Sequence, residues 1–476
     1  MSCNKSYSRR IIFDASTLAR WFGPPVGIVR VEHELARWAH KHMPEVIFAG
    51  FNPNRHRYQQ IGRKELEALI LGSASIDTLG LSDPAGPGRR KTDRIPALIR
   101  PTALWVLQFR RKLLQTLERI RLRTGSSGMM YGVDKLQRLI MSRKHETFMV
   151  EHDGRRRAYI PWDMAVSADI DLRSMDILVC AGAGWAHTNI RAITRLKQSA
   201  NFALVLLCHD IIPLLFPEFY KPRDAEVFRD YFEIAFPLAD LVVFTSHKVA
   251  ADARAYCEAR GIALRRIAVS PLGADSISRA PAQGGLPAGL EQGKYALLVS
   301  TVEPRKGHRM IYNIWQRLLK EGIPGTTGFK LLFVGRPGWM VDDLMQVLSK
   351  GGGADGSLHY LPSASDRTLA ALYQNAAFCL YPSLYEGYGL PVFEAFSHGK
   401  AVLASNGGAL GEISGELSPL LDPSDEEAWY RGLKAWILDP GARAPFEKAI
   451  RGFKHQSWVE AAAAFFRLIA ELPIAA

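Results

Sequence analysis

The stretch "FCLYPSLYEGYGLPVFEAFSHGK", residues 378–400, carries three elements in one short span. "FCLYPS" is an apolar run closing on a small polar residue, which predicts a buried strand. "LYEGYG" is a loop in which Gly387 and Gly389 permit positive φ or close backbone approach. Pro391 suits the first turn of a helix, and Gly399 ends that helix. Strand, glycine-bearing loop and helix make one unit of a parallel, doubly wound sheet, whose ligands gather at the carboxyl ends of the strands. Two carboxylates fall on this unit: Glu386 in the loop and Glu394 on the helix.

The same unit recurs on both sides. Downstream of a Pro/Gly-rich linker, "RAPAQGGLPAGLEQGK" (279–294), come "YALLVSTVEPRKGH", "FKLLFVGRPG", "LHYLPSAS", "AVLASNGG" and "SPLLDP". Upstream lie "DILVCAGAGW" (176–185), "FALVLLCHDIIP" (202–213), "LVVFTS" (241–246) and "IAVSPLGAD" (267–275). "RRIIFDAST" (9–17) reads as the first strand. A loop punctuated by Gly23, Pro24, Pro25 and Gly27 follows, then a helix with Ile28, Val31, Leu35 and Trp38 at helical spacing. The pattern predicts an α/β protein of two Rossmann-like domains facing across a cleft. The expected division is 1–280, 281–456, and a C-terminal helix within 457–476 that packs back towards the first domain. A chain of 476 residues is too long for one ordinary core, which agrees. No GxGxxG follows the first strand, so a dinucleotide cofactor is not supported.

A hydrophobic content of 47% excludes a disordered or collagenous chain. The five cysteines are scattered, with no CxxC and no His/Cys cluster, so neither a disulfide framework nor a zinc site is expected. The apolar run near the N-terminus is only "IIF", too short for a signal peptide, and no window is long enough to span a membrane. These features predict a cytoplasmic protein. The net charge of +13 is concentrated: residues 81–160 hold 18 Lys and Arg against 7 Asp and Glu. Residues 80–160 read as an insertion in the first domain. Its "TALWVLQFRRKLLQTLERIRLR" is an amphipathic helix with Val106, Phe109, Leu113, Leu117 and Ile120 on one side. Such a helix either packs on its own domain or docks residues 100–123 on an anionic membrane surface, making the protein peripheral at the inner face of the cell membrane. Nucleic acid is a third, less favoured partner.

Three stretches carry chemistry. In "VEPRKGH", Arg305 and Lys306 follow a strand end, where two fixed cations suit a diphosphate and the charge growing on a leaving phosphate. In "CHDIIP", His209 and Asp210 follow a buried strand, and the imidazole there is placed to donate to a sugar hydroxyl or to developing charge. In "YEGYGLPVFE", either carboxylate suits a vicinal diol, of which ribose and a hexose each offer one. Gly27 precedes a helix whose N-terminal N–H groups suit a phosphate.

Together "HDIIPLLFPE", "EPRKGH" and "LYEGYGLPVFEAFSHGKAVLASNGGALGE" resemble the retaining group-1 glycosyltransferases of the glycosyltransferase-B fold. The nearest flavour is that of bacterial mannosyltransferases of lipopolysaccharide and exopolysaccharide assembly. The resemblance covers about 200–420 and 9–40 and leaves out the insertion. It implies that Arg305 and Lys306 grip the donor diphosphate, that Glu394 binds the nucleotide ribose and that Glu386 meets the donor sugar. It places the backbone of Tyr388, Gly389 and Leu390 near sugar and phosphate, and His209 near the donor sugar. Gly27 falls where the family has a glycine-rich loop, although "GPPVG" lacks the usual adjacent pair. The implied donor is a nucleotide-sugar, GDP-mannose first and UDP- or dTDP-sugars as alternatives. The implied acceptor is a saccharide or lipid-linked saccharide, and no cofactor or metal is expected. "DID" (169–171) spells a metal-binding DxD by chance spacing only. A two-glutamate glycosidase and a polyanion-binding protein are the competing readings.

Overall fold

The protein is described from a computed structural model, which covers residues 9–81 apart from 22, 24, 79 and 80, parts of 105–120, and 127–140, 158–275, 286–349 and 355–473. Among the described residues the first half supplies, in chain order, ten strands. They are β1 (Ile11–Asp14), β2 (Ile47–Asn52), β3 (Arg57–Ile61), β4 (Ala74–Asp77), β5 (Ala158–Pro161), β6 (Val166–Asp169), β7 (Ile177–Cys180), β8 (Ala203–Cys208), β9 (Leu241–Phe244) and β10 (Ile267–Val269). The second half supplies β11 (Tyr295–Val299), β12 (Lys330–Val334), β13 (Leu358–Leu361), β14 (Phe378–Tyr381), β15 (Val402–Ser405) and β16 (Leu420–Leu421).

The second half forms a six-stranded sheet in the order β13-β12-β11-β14-β15-β16, parallel throughout. Strands buried on both faces must be apolar along their whole length, which is why "ALLV" and "FCLY" read as continuous runs. The winding direction reverses between β11 and β14, which pair through Ala296–Phe378 and Leu297–Cys379. A reversal opens a crevice at the carboxyl ends of the two strands. Arg305 and Lys306 follow β11, and Glu386 follows β14.

The first half forms an eight-stranded sheet in the order β10-β9-β8-β7-β1-β2-β3-β6. Its reversal lies between β1 and β7, again parallel neighbours. One edge differs from the expected doubly wound pattern, because β3 runs antiparallel to both β2 and β6. β4 and β5 pair apart from both sheets. "DID" sits on this edge: Asp169 ends β6 and is ion-paired with Arg55 at 2.8 Å, outside the cleft.

The helix Trp458–Ala470 begins with a capping box in which Ser457 and Glu460 satisfy each other's backbone N–H groups. Its apolar face lies on the first domain. Phe466 stacks on Trp38 at 5.3 Å and lies 6.2 Å from Phe13 of β1. Most of the basic stretch 100–123 lies outside the described residues. Where it is described, Leu114 and Leu117 are buried while Trp105, Val106, Phe109 and Ile120 are exposed. No helix among the described residues is long and apolar enough to cross a membrane.

Candidate active site

The two crevices face each other across a cleft of about 650 Å³. All ten residues singled out in the sequence line it: Gly27, His209 and Asp210 from the first domain, and Arg305, Lys306, Glu386, Tyr388, Gly389, Leu390 and Glu394 from the second. The loop Pro382–Gly389 is pinned on three sides. Leu384 N–H donates to the Arg305 carbonyl at 2.7 Å, which ties it to the loop after β11. Behind it, Gly408 has φ +63°, and a Cβ there would lie 2.4 Å from the Glu386 carbonyl oxygen. This explains the glycine pair of "SNGG". In front, a Cβ on Gly387 would lie 2.5 Å from the His209 carbonyl oxygen and 2.7 Å from Asp210 Cβ. The Gly387 carbonyl instead accepts from Ser246 Oγ at 3.0 Å and from Thr245 Oγ1 at 3.3 Å. The domains therefore meet backbone to backbone at this loop.

Glu386 is buried, and its Oε1 is the meeting point of the two cations. Lys306 Nζ donates to it, and Arg305 Nη1 lies 3.2 Å away. Arg305 Nη2 also pairs with Glu303 Oε1 at 2.9 Å, and Nη1 donates to the Tyr385 carbonyl at 2.9 Å. Burial alone would push the Glu386 carboxyl up, but Lys306 and Arg305 outweigh it and hold it at about 2. For Lys306, burial and then the neighbouring Arg305 push the ammonium down, against Glu386 and Glu303. The four groups are one coupled charge cluster.

Glu394 belongs to a different environment. It is half-buried, and Tyr373 donates its hydroxyl to Glu394 Oε2 at 3.0 Å. Burial pushes this carboxyl up, with Arg30 and the Tyr373 bond acting against it. The two glutamates thus have separate partners.

Arg30 is a site residue that sequence reasoning missed. It sits in the first turn of the helix Ile28–His42, where the dipole disfavours a cation, and that misplacement was the available signal. It crosses the cleft to Asp366 Oδ1 at 3.0 Å, and its Nη1 is buried without a hydrogen-bond partner, as is Arg305 Nε. The helix is entered through Gly27 at φ +53°, ψ −129°, a conformation closed to residues with a Cβ. His209 differs from expectation in one respect. Its Nε2–H donates to the Ala181 carbonyl at 2.8 Å, and burial pushes the ring below its ordinary value. The neutral ring keeps Nδ1 as an acceptor, able to take a hydrogen bond from a hydroxyl but not to donate one.

Behind the first-domain wall lies a buried acid pair. Asp14 accepts from Ser16 and from Tyr58, and Glu32 Oε1 accepts the Leu18 N–H at 2.7 Å. Burial and then Asp14 raise Glu32 to about 8. A Cβ at Gly182 would overlap Glu32 Oε2, so a glycine is needed where β7 leaves the sheet. Among the described residues no group of three His, Cys, Asp or Glu is placed to hold a metal ion.

Two Rossmann-like domains closing on a buried cation pair define the glycosyltransferase-B architecture. Solved structures of that fold superpose along nearly the whole chain. Sucrose-phosphate synthase from Thermosynechococcus elongatus gives a TM-score of 0.56 at 16% identity, covering 98% of this chain and 99% of that one. Anabaena HepE in complex with UDP and glucose gives 0.56 at 15%, covering 98% and 100%. Residues 288–453 match the family model of glycosyl transferases group 1, so the chain carries a group 1 glycosyl transferase domain. It is 38% identical over 134 residues to the O-antigen chain mannosyltransferase B of Escherichia coli, covering 28% of this chain and 34% of that one. It is 27% identical over 291 residues to the serotype-specific mannosyltransferase WbdA of Escherichia coli, covering 57% and 33%. The matched part is about a third of each of these relatives' length.

Proposed function

We propose that the chain is a retaining glycosyltransferase that moves a hexose, mannose first, from a nucleotide-sugar to a hydroxyl of a growing polysaccharide or lipid-linked saccharide. The observation that carries this reading is the convergence of Arg305 and Lys306 on Glu386 at the floor of the cleft. Two buried cations that already share one carboxylate accept a diphosphate by exchanging one anionic partner for another. The names of the Escherichia coli relatives favour mannose, and GDP-mannose is the donor we propose first.

In this reading the diphosphate lies on Arg305 and Lys306, and Glu394 accepts the ribose hydroxyls. Arg30 Nη1 and Arg305 Nε are unspent donors for the donor's oxygens. Glu386, released as the diphosphate takes over the cations, accepts the sugar hydroxyls; its place in the donor loop beside those hydroxyls fits binding better than attack on the anomeric carbon. The bond from that carbon to the diphosphate oxygen breaks as the acceptor oxygen bonds on the same face. The acceptor proton passes to the leaving diphosphate, whose charge Arg305 and Lys306 stabilise. The two cations supply the positive charge, so no divalent metal is required. The basic residues 100–123 would hold the enzyme at an anionic membrane surface, and their deletion should release it from anionic vesicles.

The test is a thermal-shift screen of GDP-, UDP- and dTDP-sugars, followed by transfer to a mannose oligosaccharide with the product anomer read by NMR. GDP-mannose should raise the melting temperature most, and the product should keep the donor's anomeric configuration. Stabilisation by UDP-sugars alone would move the donor to the second reading. An inverted product or a trapped glycosyl-enzyme would overturn the mechanism.

A further inference from the structure

A second kind of chemistry lines the cleft beside the charge cluster. Trp21, in the loop region after β1, and Trp339, after β12, both face it from opposite domains, and both are half-buried. The Arg336 guanidinium lies over the Trp21 ring, 5.1 Å from its centroid, so a cation of one domain rests on an aromatic face of the other. Trp339 is fixed from behind. Its Nε1–H donates to the Phe219 carbonyl at 2.6 Å, and its ring lies 5.5 Å from that of Tyr220. Burial pushes the Tyr220 hydroxyl up and the charge of Arg305 acts against it, so the aromatic wall begins where the cation pair ends. In sheet order Trp339 follows β12, on the side of β11 away from β14.

We propose that Trp21, Arg336 and Trp339 form the platform that receives the saccharide acceptor. The proposal rests on the glycosyltransferase reading of the cleft. A pyranose has a face of C–H groups and a rim of hydroxyls. The C–H face carries partial positive charge and stacks on the negative face of an indole. A guanidinium fork donates to two neighbouring hydroxyls at once. A phosphate or a carboxylate has no use for two indole faces, and a sugar uses both the faces and the fork. The rings are also locked before binding, Trp339 by its hydrogen bond and Trp21 by the cation above it, so little freedom is lost when the sugar arrives. Because the two walls belong to different domains, the platform is complete only when the cleft is closed, and the acceptor is gripped next to the leaving group.

The experiment uses the full chain, with a mannose trisaccharide as acceptor probe. Titrated alone, the trisaccharide should quench the tryptophan emission of the wild type. Trp339→Ala and Trp21→Ala should each lose most of that quenching and raise the acceptor KM by about tenfold, with the donor KM within about twofold of wild type. Trp339→Phe, which keeps a ring, should recover most of the acceptor affinity and guards against a folding defect. An unchanged acceptor KM in both alanine variants, or a rise in donor KM instead, would overturn the platform. Failure of the enzyme reading would appear separately, as no transfer by the wild type from any donor. The titration needs no turnover and still decides: quenching lost in the variants supports the platform, and no quenching of the wild type refutes it.

Discussion

The two walls of the cleft handle buried titratable groups in opposite ways. On the second-domain wall, Arg305, Lys306, Glu303 and Glu386 lie in contact and Glu386 stays ionised, held at about 2 by its cations. On the first-domain wall the same burial pushes His209 down, His187 down to about 4 and Glu32 up to about 8, and it raises Asp14. The difference lies in the partners. An opposite charge in contact holds a buried group in its charged form, and burial without one favours the neutral form. The charge cluster fits the diphosphate of the proposed donor, and the neutral groups of the facing wall, beside its cation Arg30, fit sugar hydroxyls.

Breaking the charged wall should have the largest effect. Glu386→Ala leaves two buried cations without their shared carboxylate, which should cost about 3–5 kcal/mol of stability and abolish transfer. Denaturant unfolding with and without GDP checks it: the diphosphate should restore more stability to the variant than to the wild type. Glu386→Gln keeps the shape, and turnover that survives in it would rule out a nucleophile at this position.

Gly387→Ala attacks the seam between the walls. The new Cβ would stand 2.5 Å from the His209 carbonyl, so the domains would have to part. A misfit of that size should lower kcat/KM by about a hundredfold while the melting temperature barely moves. A melting temperature that collapsed along with activity would instead make the seam part of the folding core.

The neutral wall is tested by pH. Glu32 titrates at about 8 in the folded chain, against an ordinary value of 4.5. Between those values the folded chain holds a proton that the unfolded chain has lost, so stability falls as pH rises from about 5 to 8. Glu32→Gln should remove up to about 1.4 kcal/mol per pH unit of that decline, read as the difference between the two unfolding profiles. Parallel profiles would mean that Glu32 is ionised after all.

The smallest change sharpens the contrast between the two glutamates. Glu394→Gln should weaken nucleotide binding about tenfold and leave the fold intact, since Tyr373 can donate to an amide oxygen as well. Equal losses in Glu394→Gln and Glu386→Ala would erase the distinction drawn from their surroundings.

The second-domain wall was the legible one. Arg305, Lys306 and Glu386 each sit a few residues beyond an apolar strand, Glu394 sits on the helix that follows, and the strand–loop–helix pattern is local enough to read. The first-domain wall depends on contacts between distant segments. Arg30 meets Asp366, and Ser246 meets Gly387, across separations that leave no periodicity in the chain. The antiparallel edge formed by β3 and β6 was missed for the same reason, since the strand that completes it comes from beyond the insertion. Glu32 left a trace. It lies four residues after Ile28 and three before Leu35, inside the apolar stripe of its helix, where a carboxylate is out of place.

The packing of the C-terminal helix on the first domain means that the chain runs between the domains twice. The two crossings touch each other: Ala274 N–H donates to the Gln456 carbonyl at 3.4 Å, and Trp458 N–H to Asp275 Oδ1 at 2.9 Å. His455 lies in hydrogen-bond reach of the Leu272 carbonyl, and Tyr388 donates its hydroxyl to the same oxygen. Two pins side by side leave a rigid body one easy swing. Tyr388 lines the cleft with one end and rests on that pivot with the other, so it works as a lever between them. A fluorophore or spin label beside His455 should therefore feel the cleft fill.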